Sequence, residues 1–287
     1  MGRVEGKVVM ITGAARGLGR SHAVRLAEEG ADVIAIDVCE QPSAVEYASS
    51  TPSDLSETAR LIEKSGRKAV TKQVDVRDRI GLKQAIDEAV AELGRLDVVI
   101  PNAGISPLGV DRPLSAFTDT VDINLVGAMN TVHAALPHLE SGASIILMGS
   151  VAGLMPRSDG GGASGPGGAG YSFSKKMLDE YANWLSVQLA PGGTRVNIVH
   201  PTNCATEMFQ NSAVYRTFRP DLEDPTPEDA EVTFKAIHGM PMAYLEPVDV
   251  SHAIVYLASE ESRYVTGLQL KIDGGMLNKF AAGFSFG

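Results

Sequence analysis

Short runs of apolar, mostly β-branched residues alternate along the chain with stretches that have the periodicity of amphipathic helices. The runs predict seven β-strands, at residues 7–12, 32–37, 69–74, 96–101, 144–148, 195–200 and 268–272. Helices are predicted between them, at residues 19–29, 54–65, 81–93, 114–136, 172–189 and 247–259. Such alternation is typical of βαβ units. The sequence therefore predicts an α/β fold, with a doubly wound parallel sheet of about seven strands and helices on both faces.

Neither an internal repeat nor a linker divides this pattern, so residues 1–287 are predicted to form a single domain. Three segments interrupt the alternation, and each comes after a predicted strand. They are two insertions, at about residues 38–53 and 157–170, and a longer segment at about residues 202–246. Ligands of open parallel sheets bind outside the carboxyl ends of the strands. We therefore expect these three segments to form walls of a ligand site.

The charge and the cysteine content narrow the class of partner. The formal net charge is −10 and no cluster of Lys and Arg is present, which argues against nucleic acid and anionic membranes. Cys39 and Cys204 lie too far apart in sequence to form a disulfide framework, and neither has metal-ligand spacing. With no signal peptide or membrane-spanning stretch in the sequence, a cytoplasmic protein that binds a small molecule, without a metal, is predicted.

A glycine-rich turn follows the first predicted strand and opens the first helix. It reads "TGAARGLG", so Gly13, Gly17 and Gly19 would let the backbone approach a pyrophosphate beside the helix N-terminus. Arg16 and Leu18 belong to the same turn. A turn of this kind is weak evidence alone, but Asp37 stands at the end of the second strand, where a carboxylate would bind a ribose diol. The combination predicts a dinucleotide site.

Asp37 also bears on the choice of dinucleotide. A carboxylate that faces the ribose 2′ position repels a 2′-phosphate. Arg16 favours the opposite choice, since a guanidinium could bind that phosphate, but no second basic residue follows Asp37. The sequence favours NAD and leaves NADP open.

Further motifs arrive in a fixed order: Asp75 with Val76, the triplet Asn102, Ala103 and Gly104, then Asn124, Ser150, and the pair Tyr171 and Lys175. With these motifs the chain resembles the short-chain dehydrogenase/reductase family over nearly its whole length, which implies a Rossmann-like fold. The resemblance implies that Asp75 and Val76 hold the adenine, that the triplet lines the cofactor floor and that Thr206 contacts the nicotinamide carboxamide. It also places Val38, Tyr171, Lys175, Pro201 and Thr202 in the cofactor site.

The proposed chemistry follows from the residue types. A tyrosine with a pKa near 10 is a poor acid or base at neutral pH unless a positive group stabilises its phenolate. Lys175 lies four residues after Tyr171, on the same helix face, and can supply that charge. Ser150 can hold the substrate oxygen, and the family implies that Asn124 supports Lys175 through a water chain. Taken alone, the Tyr171 and Lys175 pair would be an aromatic residue and a solvated lysine on an amphipathic helix.

Other candidate residues have less specific surroundings. His200 is predicted to be a strand-end histidine and His22 a surface histidine, while Cys204 is predicted to be a packed small residue. Twenty-one positions separate Ser150 from Tyr171, more than in most members of the family. The glycine-rich residues 157–170 are therefore predicted to be a loop, which either covers the substrate or forms a surface excursion.

The segment after the sixth strand is rich in apolar side chains, including Met208, Phe209, Val214, Tyr215 and Phe218. Pockets for small ligands are mostly apolar, so a hydrophobic secondary alcohol or ketone is the expected substrate. The insertion at 38–53 and the sequence "HPTN" at 200–203 resemble the mycofactocin-coupled, carveol dehydrogenase-like subgroup. That resemblance implies tightly held NAD and an external redox carrier, and the family implies a homotetramer.

Three alternatives stay open at this point. A dinucleotide-binding regulator would keep the fold without catalysis, although it would not need Ser150, Tyr171 and Lys175 together. A methyltransferase also has a doubly wound sheet and a glycine-rich first turn. A conventional dehydrogenase would exchange NAD(P) freely.

Overall fold

The computed structural model of the chain describes residues 2–155 and 164–282. Seven parallel strands form one sheet in the order β3-β2-β1-β4-β5-β6-β7. Their bounds are β1 Val8–Thr12, β2 Asp32–Asp37, β3 Ala69–Gln73, β4 Leu96–Ile100, β5 Leu139–Met148, β6 Arg195–Pro201 and β7 Gln269–Ile272. The predicted fold class is confirmed. The strand order reverses between β1 and β4, which opens a crevice at their carboxyl ends.

Helices cover both faces of the sheet. In the described residues they are α1 Gly17–Glu28, α2 Pro52–Lys64, α3 Arg79–Leu93, α4 Ser115–Val121, α5 Gly127–Ala135, α6 Val151–Leu154, α7 Gly165–Leu189, α8 Ser212–Phe218, α9 Pro227–Ile237, α10 Pro247–Ala258 and α11 Met276–Ala281. A π-helical turn, Asp122–Val126, joins α4 to α5, and short 3-10 turns lie at Leu136–His138, Ala190–Gly192 and Glu260–Ser262. None of the helices in the described ranges is both long and apolar enough to cross a membrane.

The core consists of two apolar layers, one on each face of the sheet. Alternate residues of a strand point to opposite faces. In β1, Val8 and Met10 pack into the layer that includes residues of α3, α5 and α7, whereas Val9 and Ile11 pack against α1 and α10. All five residues of β1 are buried, because helices cover both of its sides.

Several element boundaries differ from the predicted ones. β5 begins at Leu139 rather than at residue 144, because its first residues extend the pairing to β4 across a register irregularity. The predicted helix at 114–136 is interrupted by the π-helical turn. The segment at 202–246 contains α8 and α9, which start at Asn211 and Thr226 caps.

His22 was predicted to lie on the surface, and this prediction is wrong. The side chain is fully buried, and its Nδ1 lies 2.8 Å from the Ser251 hydroxyl of α10. The face of α1 that carries His22 packs against α10, so a single-sequence pattern that treats histidine as polar misplaces it. His200 lies in β6, at the strand end, as predicted.

The glycine-rich segment is helical from Gly165 onward, where a loop through residue 170 was predicted. A Cβ atom on Gly165 would lie 1.8 Å from the Gly109 carbonyl oxygen, and one on Gly167 would lie 1.9 Å from that of Pro107. A Cβ atom on Gly170 would lie 2.7 Å from the Phe117 carbonyl oxygen. These glycines therefore permit close backbone packing between the start of α7 and its neighbours. Residues 157–163 of the predicted insertion lie outside the described residues.

We expect Gly167→Ala to destabilise the protein and to reduce catalysis, since the new methyl group would displace backbone that positions α7. Gly192→Ala is the matched control, because a Cβ atom there would have no neighbour within 4 Å among the described residues. Overpacking of this kind costs about 1–3 kcal/mol, to be measured by urea unfolding of both variants. Equal unfolding free energies for the two variants would contradict the close-packing interpretation.

Candidate active site

A cleft of about 860 Å³ lies over the carboxyl ends of the central strands. Its wall includes residues from the turn after β1, the ends of β2, β4 and β5, the helix α7 and the segment after β6. Every cofactor residue predicted from the sequence lines this cleft: Gly13, Arg16, Gly17, Leu18, Gly19, Asp37, Val38, Asp75, Val76, Asn102, Ala103, Gly104, Tyr171, Lys175, Pro201, Thr202 and Thr206. Ser150 also lines it.

The turn after β1 has the geometry of a phosphate cradle. Gly13 and Gly17 have φ angles of +67° and +53°, which favour glycine. A Cβ atom on Gly19 would lie 2.0 Å from the Gly13 carbonyl oxygen, so only glycine fits there. In the part of the chain that the structure describes, no side chain caps the N-terminus of α1, so the first backbone N–H groups of the helix lack a capping partner. The turn therefore fits the pyrophosphate of a dinucleotide.

Asp37 is held in place by three hydrogen bonds. Its Oδ2 accepts the N–H of Ala15 at 3.0 Å, and its Oδ1 accepts the N–H of Cys39 at 3.1 Å and the hydroxyl of Ser50 at 2.6 Å. An ionised carboxylate can accept about four hydrogen bonds. One acceptor position remains for a ribose hydroxyl, and the oriented charge disfavours a 2′-phosphate.

The residues after β3 line the part of the cleft that the sequence predicts to hold the adenine. The Asp75 carboxylate pairs with the Arg77 guanidinium at 2.6 Å. Burial alone would raise the pKa of Asp75, but the hydrogen bonds from Arg77 have the larger combined effect, so the pKa is lowered. Val76 is buried against Gly127, where a Cβ atom would lie 2.4 Å from the valine. The carboxylate is thus already engaged by an arginine that the sequence reasoning had not considered.

The floor of the cleft is tied to the phosphate turn. The Asn102 amide donates hydrogen bonds to the carbonyl oxygens of Thr12 and Gly13, at 3.0 and 3.1 Å. The Thr12 hydroxyl oxygen accepts the N–H groups of Asn102 and Ala103, at 3.1 and 3.2 Å. These four hydrogen bonds join the carboxyl end of β1 to the residues that follow β4.

Asn124 does not line the cleft but lies behind its floor, in the π-helical turn. Its Oδ1 accepts the N–H of Ile105 at 2.8 Å, and its Nδ2 donates to the carbonyl oxygen of Ile105 at 2.9 Å. π-Helical turns are frequent at functional sites. Asn124 therefore fixes the backbone beside the cofactor floor, and the water chain to Lys175 stays a prediction.

Ser150 stands at the start of α6, immediately after β5. Its backbone is extended and its Oγ accepts the N–H of Ala152 at 3.2 Å. The hydroxyl also forms a side-chain hydrogen bond that lowers the pKa of Tyr171. The structure thus brings together Ser150 and Tyr171, which the sequence places on different elements.

Lys175 lies one helical turn after Tyr171. Its Nζ donates to the carbonyl oxygen of Met148 at 2.7 Å and lies 5.6 Å from the centroid of the Tyr171 ring. Burial lowers the pKa of Lys175 to about 8. Burial raises the pKa of Tyr171, and the Ser150 hydrogen bond opposes that shift. The lysine was expected to favour the phenolate, but here burial opposes charge on both groups.

The insertion at residues 38–53, which we call the strap, folds across the cleft. The Tyr47 hydroxyl accepts the N–H of Ser106 at 3.1 Å, and the Arg16 guanidinium lies 5.6 Å from the Tyr47 ring centroid. Arg16 also donates to the carbonyl oxygen of Ala48. Glu46 pairs with Arg112, and with Arg216 of α8 at 3.3 Å. The strap therefore connects the turn after β1 to the loop after β4 and to α8.

The sequence did not identify the contacts that hold the strap. Arg16 was considered for a 2′-phosphate, yet its guanidinium is occupied by the strap. The available sequence signal for Tyr47 was an aromatic residue among the small polar residues of the insertion.

One end of the cleft, beyond Ser150 and Tyr171, is apolar. We call it the substrate end, and it is lined by Leu108, Met155, Met208, Phe209, Val214, Phe218 and Met276. The predicted Tyr215 is buried but does not line the cleft. It packs with Phe234 and its neighbours in a small core that supports α8 and α9.

Neither cysteine has the properties of a nucleophile. Both thiols are free and buried, and burial raises the pKa of Cys39 to about 11 and that of Cys204 to about 12. The thiolate is the reactive form. Cys204 is a packed residue, as predicted.

The comparisons with known proteins agree with this geometry. A family model described as enoyl-(acyl carrier protein) reductase matches residues 13–277. The (−)-trans-carveol dehydrogenase of Rhodococcus erythropolis is 44% identical over 281 residues, which cover 96% of this chain and 99% of that protein. Carveol dehydrogenase from Mycobacterium avium, solved in complex with NAD, has a TM-score of 0.91 and 44% identity, with 97% of this chain and 100% of that chain covered.

A short-chain dehydrogenase from Mycobacterium paratuberculosis, solved with NAD bound, has a TM-score of 0.84 and 37% identity, covering 96% of this chain and 100% of that one. The fold and the cleft define a Rossmann-type oxidoreductase. The chain belongs to the short-chain dehydrogenase/reductase family, and the predicted resemblance is confirmed.

We expect Asp37→Asn to reduce the preference for NAD over NADP by about tenfold or more, a change of about 1.4 kcal/mol, since it removes the charge that repels a 2′-phosphate. The measurement is the rise in unfolding temperature of nucleotide-free protein with added NADH or NADPH. The control is Asp75→Asn, which removes an acidic side chain on the other side of the predicted adenosine site. It should weaken the binding of NADH and of NADPH by the same factor. An unchanged ratio in Asp37→Asn would refute the assignment.

Proposed function

We propose that this chain, an NAD-dependent alcohol dehydrogenase of the short-chain family, interconverts a hydrophobic secondary alcohol and its ketone. The main observation behind the proposal is that Ser150, Tyr171 and Lys175 line one cleft, between its predicted dinucleotide site and its apolar substrate end. Relatives of this chain named for carveol support a terpene-like alcohol.

The residues divide the proton chemistry between them. The Ser150 hydroxyl binds the alcohol oxygen and holds it near the Tyr171 hydroxyl. Tyr171, as phenolate, accepts the proton of the alcohol while the carbinol C–H bond breaks; in the reverse direction it donates that proton to the ketone oxygen. When bound, NAD supplies the hydride acceptor and a positive charge. That charge and protonated Lys175 together offset the burial that disfavours the phenolate.

The substrate end selects by shape and apolar contact. Three of its lining side chains are methionines, Met155, Met208 and Met276, which are unbranched and adapt to irregular ligands. Phe209 and Phe218 add aromatic surface from the segment after β6. This lining suits a compact cyclic hydrocarbon that carries one oxygen.

We expect Tyr171→Phe to lower turnover of carveol by at least about 100-fold while NAD still binds, because the variant loses only the proton-transfer group. Tyr181→Phe is the control: it lies on the same helix, beside Trp184, and should keep turnover close to that of the unchanged protein. Turnover is measured with an artificial electron acceptor. Activity retained in Tyr171→Phe would contradict the mechanism and leave a dinucleotide-binding regulator as the better description.

The strap supports a second part of the proposal, that NAD is held tightly and is reoxidised in place by an external redox carrier. Its residues Glu40, Gln41, Pro42, Tyr47, Ser49 and Ser50 line the cleft. Tyr47 anchors it to the loop after β4, Ser50 to the end of β2, and Glu46 to the same loop and to α8. A cofactor beneath such a cover leaves only when the anchors open.

We expect denaturation of the purified protein to release NAD, and labelled NAD to enter the native protein slowly. Glu46→Gln should speed exchange by about threefold or more, since it weakens two ion pairs of modest strength. Glu57→Gln, which breaks an exposed pair with Arg60 on α2, should not change the rate. An empty site, or exchange complete within seconds in the unchanged protein, would favour a conventional dehydrogenase.

We also propose a cytoplasmic homotetramer. Large apolar side chains of α7 are exposed in the single chain, among them Trp184 and Val187 at 60% and 69% exposure. Val126 and Met129, beside and within α5, are also exposed. Burial of these side chains between copies of the chain would remove them from water.

A further inference from the structure

Two buried side chains lie behind the turn that carries Ser150. The imidazole of His200, in β6, is fully buried, and its Nδ1 lies 3.2 Å from the carbonyl oxygen of Ser150. Its Nε2 lies 3.6 Å from Oδ1 of Asp179, on α7. Within the described part of the chain, neither Nε2 nor this Oδ1 has a hydrogen-bond partner. An unsatisfied pair of buried polar atoms that face each other needs an explanation.

The carbonyl of Ser150 fixes the state of the imidazole. A carbonyl oxygen only accepts, so Nδ1 of His200 carries the hydrogen and Nε2 presents a lone pair to Asp179. An ionised carboxylate opposite that lone pair would be repelled. A single proton between Nε2 and Oδ1 removes the repulsion and satisfies both atoms.

Burial and nearby charges favour the neutral form of the pair. Burial, together with Lys175 and Lys271, lowers the pKa of His200 to about 4, although the hydrogen bond to the Ser150 carbonyl opposes the shift. Burial raises the pKa of Asp179, as does Glu180, against a hydrogen bond from Gln269. A protonated carboxyl that donates to a neutral imidazole is consistent with both directions.

The pair joins the two elements that carry the catalytic hydroxyls. A Cβ atom on Gly149 would lie 2.5 Å from Nδ1 of His200, so the imidazole packs directly against the backbone before Ser150. Asp179 follows Tyr171 and Lys175 at four-residue spacing along one face of α7. Lys175 binds the carbonyl oxygen of Met148, and His200 binds that of Ser150, two residues later.

We propose that His200 and Asp179 are positioning residues for Ser150, sharing one proton that fixes the end of β5 relative to α7. The inference rests on the proposed function, in which the hydroxyls of Ser150 and Tyr171 meet one substrate oxygen. Displacement of a reacting group by about 1 Å can cost about 100-fold in rate. A clamp behind Ser150 prevents such displacement without contacting the substrate.

The first test observes the pair directly and needs no turnover. In ¹⁵N-histidine NMR spectra of the full chain with NAD, His200 should show hydrogen on Nδ1 and remain neutral from pH 5.5 to 8, with its signal identified by its loss in His200→Asn. Asp179→Leu should shift the Nε2 resonance, whereas Asp179→Asn, which still donates to Nε2, should shift it less. A hydrogen on Nε2 in the unchanged protein would overturn the proposal.

The second test is a double-mutant cycle with Ser150→Ala, measured as kcat for carveol. His200→Leu should lower kcat about tenfold in the unchanged background and have no further effect in Ser150→Ala, since it acts through Ser150. Asp179→Leu should behave alike, with Asp179→Asn restoring most of the loss. Equal losses in the two backgrounds would overturn the proposal.

His22 supplies a matched control. It is also fully buried, with Nδ1 beside a hydroxyl and with an Nε2 that has no hydrogen-bond partner among the described residues, but it lies on α1. His22→Leu should lower the unfolding temperature and change kcat by the same factor in both backgrounds. If the unchanged protein oxidises no alcohol, the proposed function fails, while the NMR result still decides whether the shared proton exists.

Discussion

Close packing between backbone segments positions α7, the helix that carries Tyr171 and Lys175. At the start of α7, Gly165, Gly167 and Gly170 bring the helix so close to the loop after β4 and to α4 that a methyl group at any of them would overlap a carbonyl oxygen. Tyr171 follows this contact directly, so its position depends on the helix being seated. Glycine, which is costly within a helix, is accepted here because no other residue allows the approach.

Burial disfavours the charged forms of both Tyr171 and Lys175. Lys175 is also bound to the Met148 carbonyl. In the proposed mechanism, a phenolate at Tyr171 would therefore require further positive charge in the cleft. The oxidised cofactor would supply such charge and the reduced cofactor would not, so the mechanism links proton acceptance by Tyr171 to the oxidation state of the nucleotide.

The remaining contacts bind distant segments into one site. Glu46 of the strap pairs with Arg112 and with Arg216 of α8, so one carboxylate connects the strap to the loop after β4 and to α8. Behind the cleft, His200 reaches from β6 to the Ser150 carbonyl. These contacts link the strap to α8 and link β6 to the turn that carries Ser150.

The sequence by itself determined the parallel sheet, the glycine-rich turn after β1 and the pairing of Tyr171 with Lys175 on one helix face, while most other residues around the cleft were identified through the family resemblance. Those features are local, because strand periodicity, glycine spacing and the interval from Tyr171 to Lys175 are written in neighbouring residues. It did not determine that the glycine-rich segment starts a helix, that His22 is buried, or that the Arg16 guanidinium binds the strap. Each of these depends on which distant backbone or charge lies opposite, and only the tertiary structure decides that.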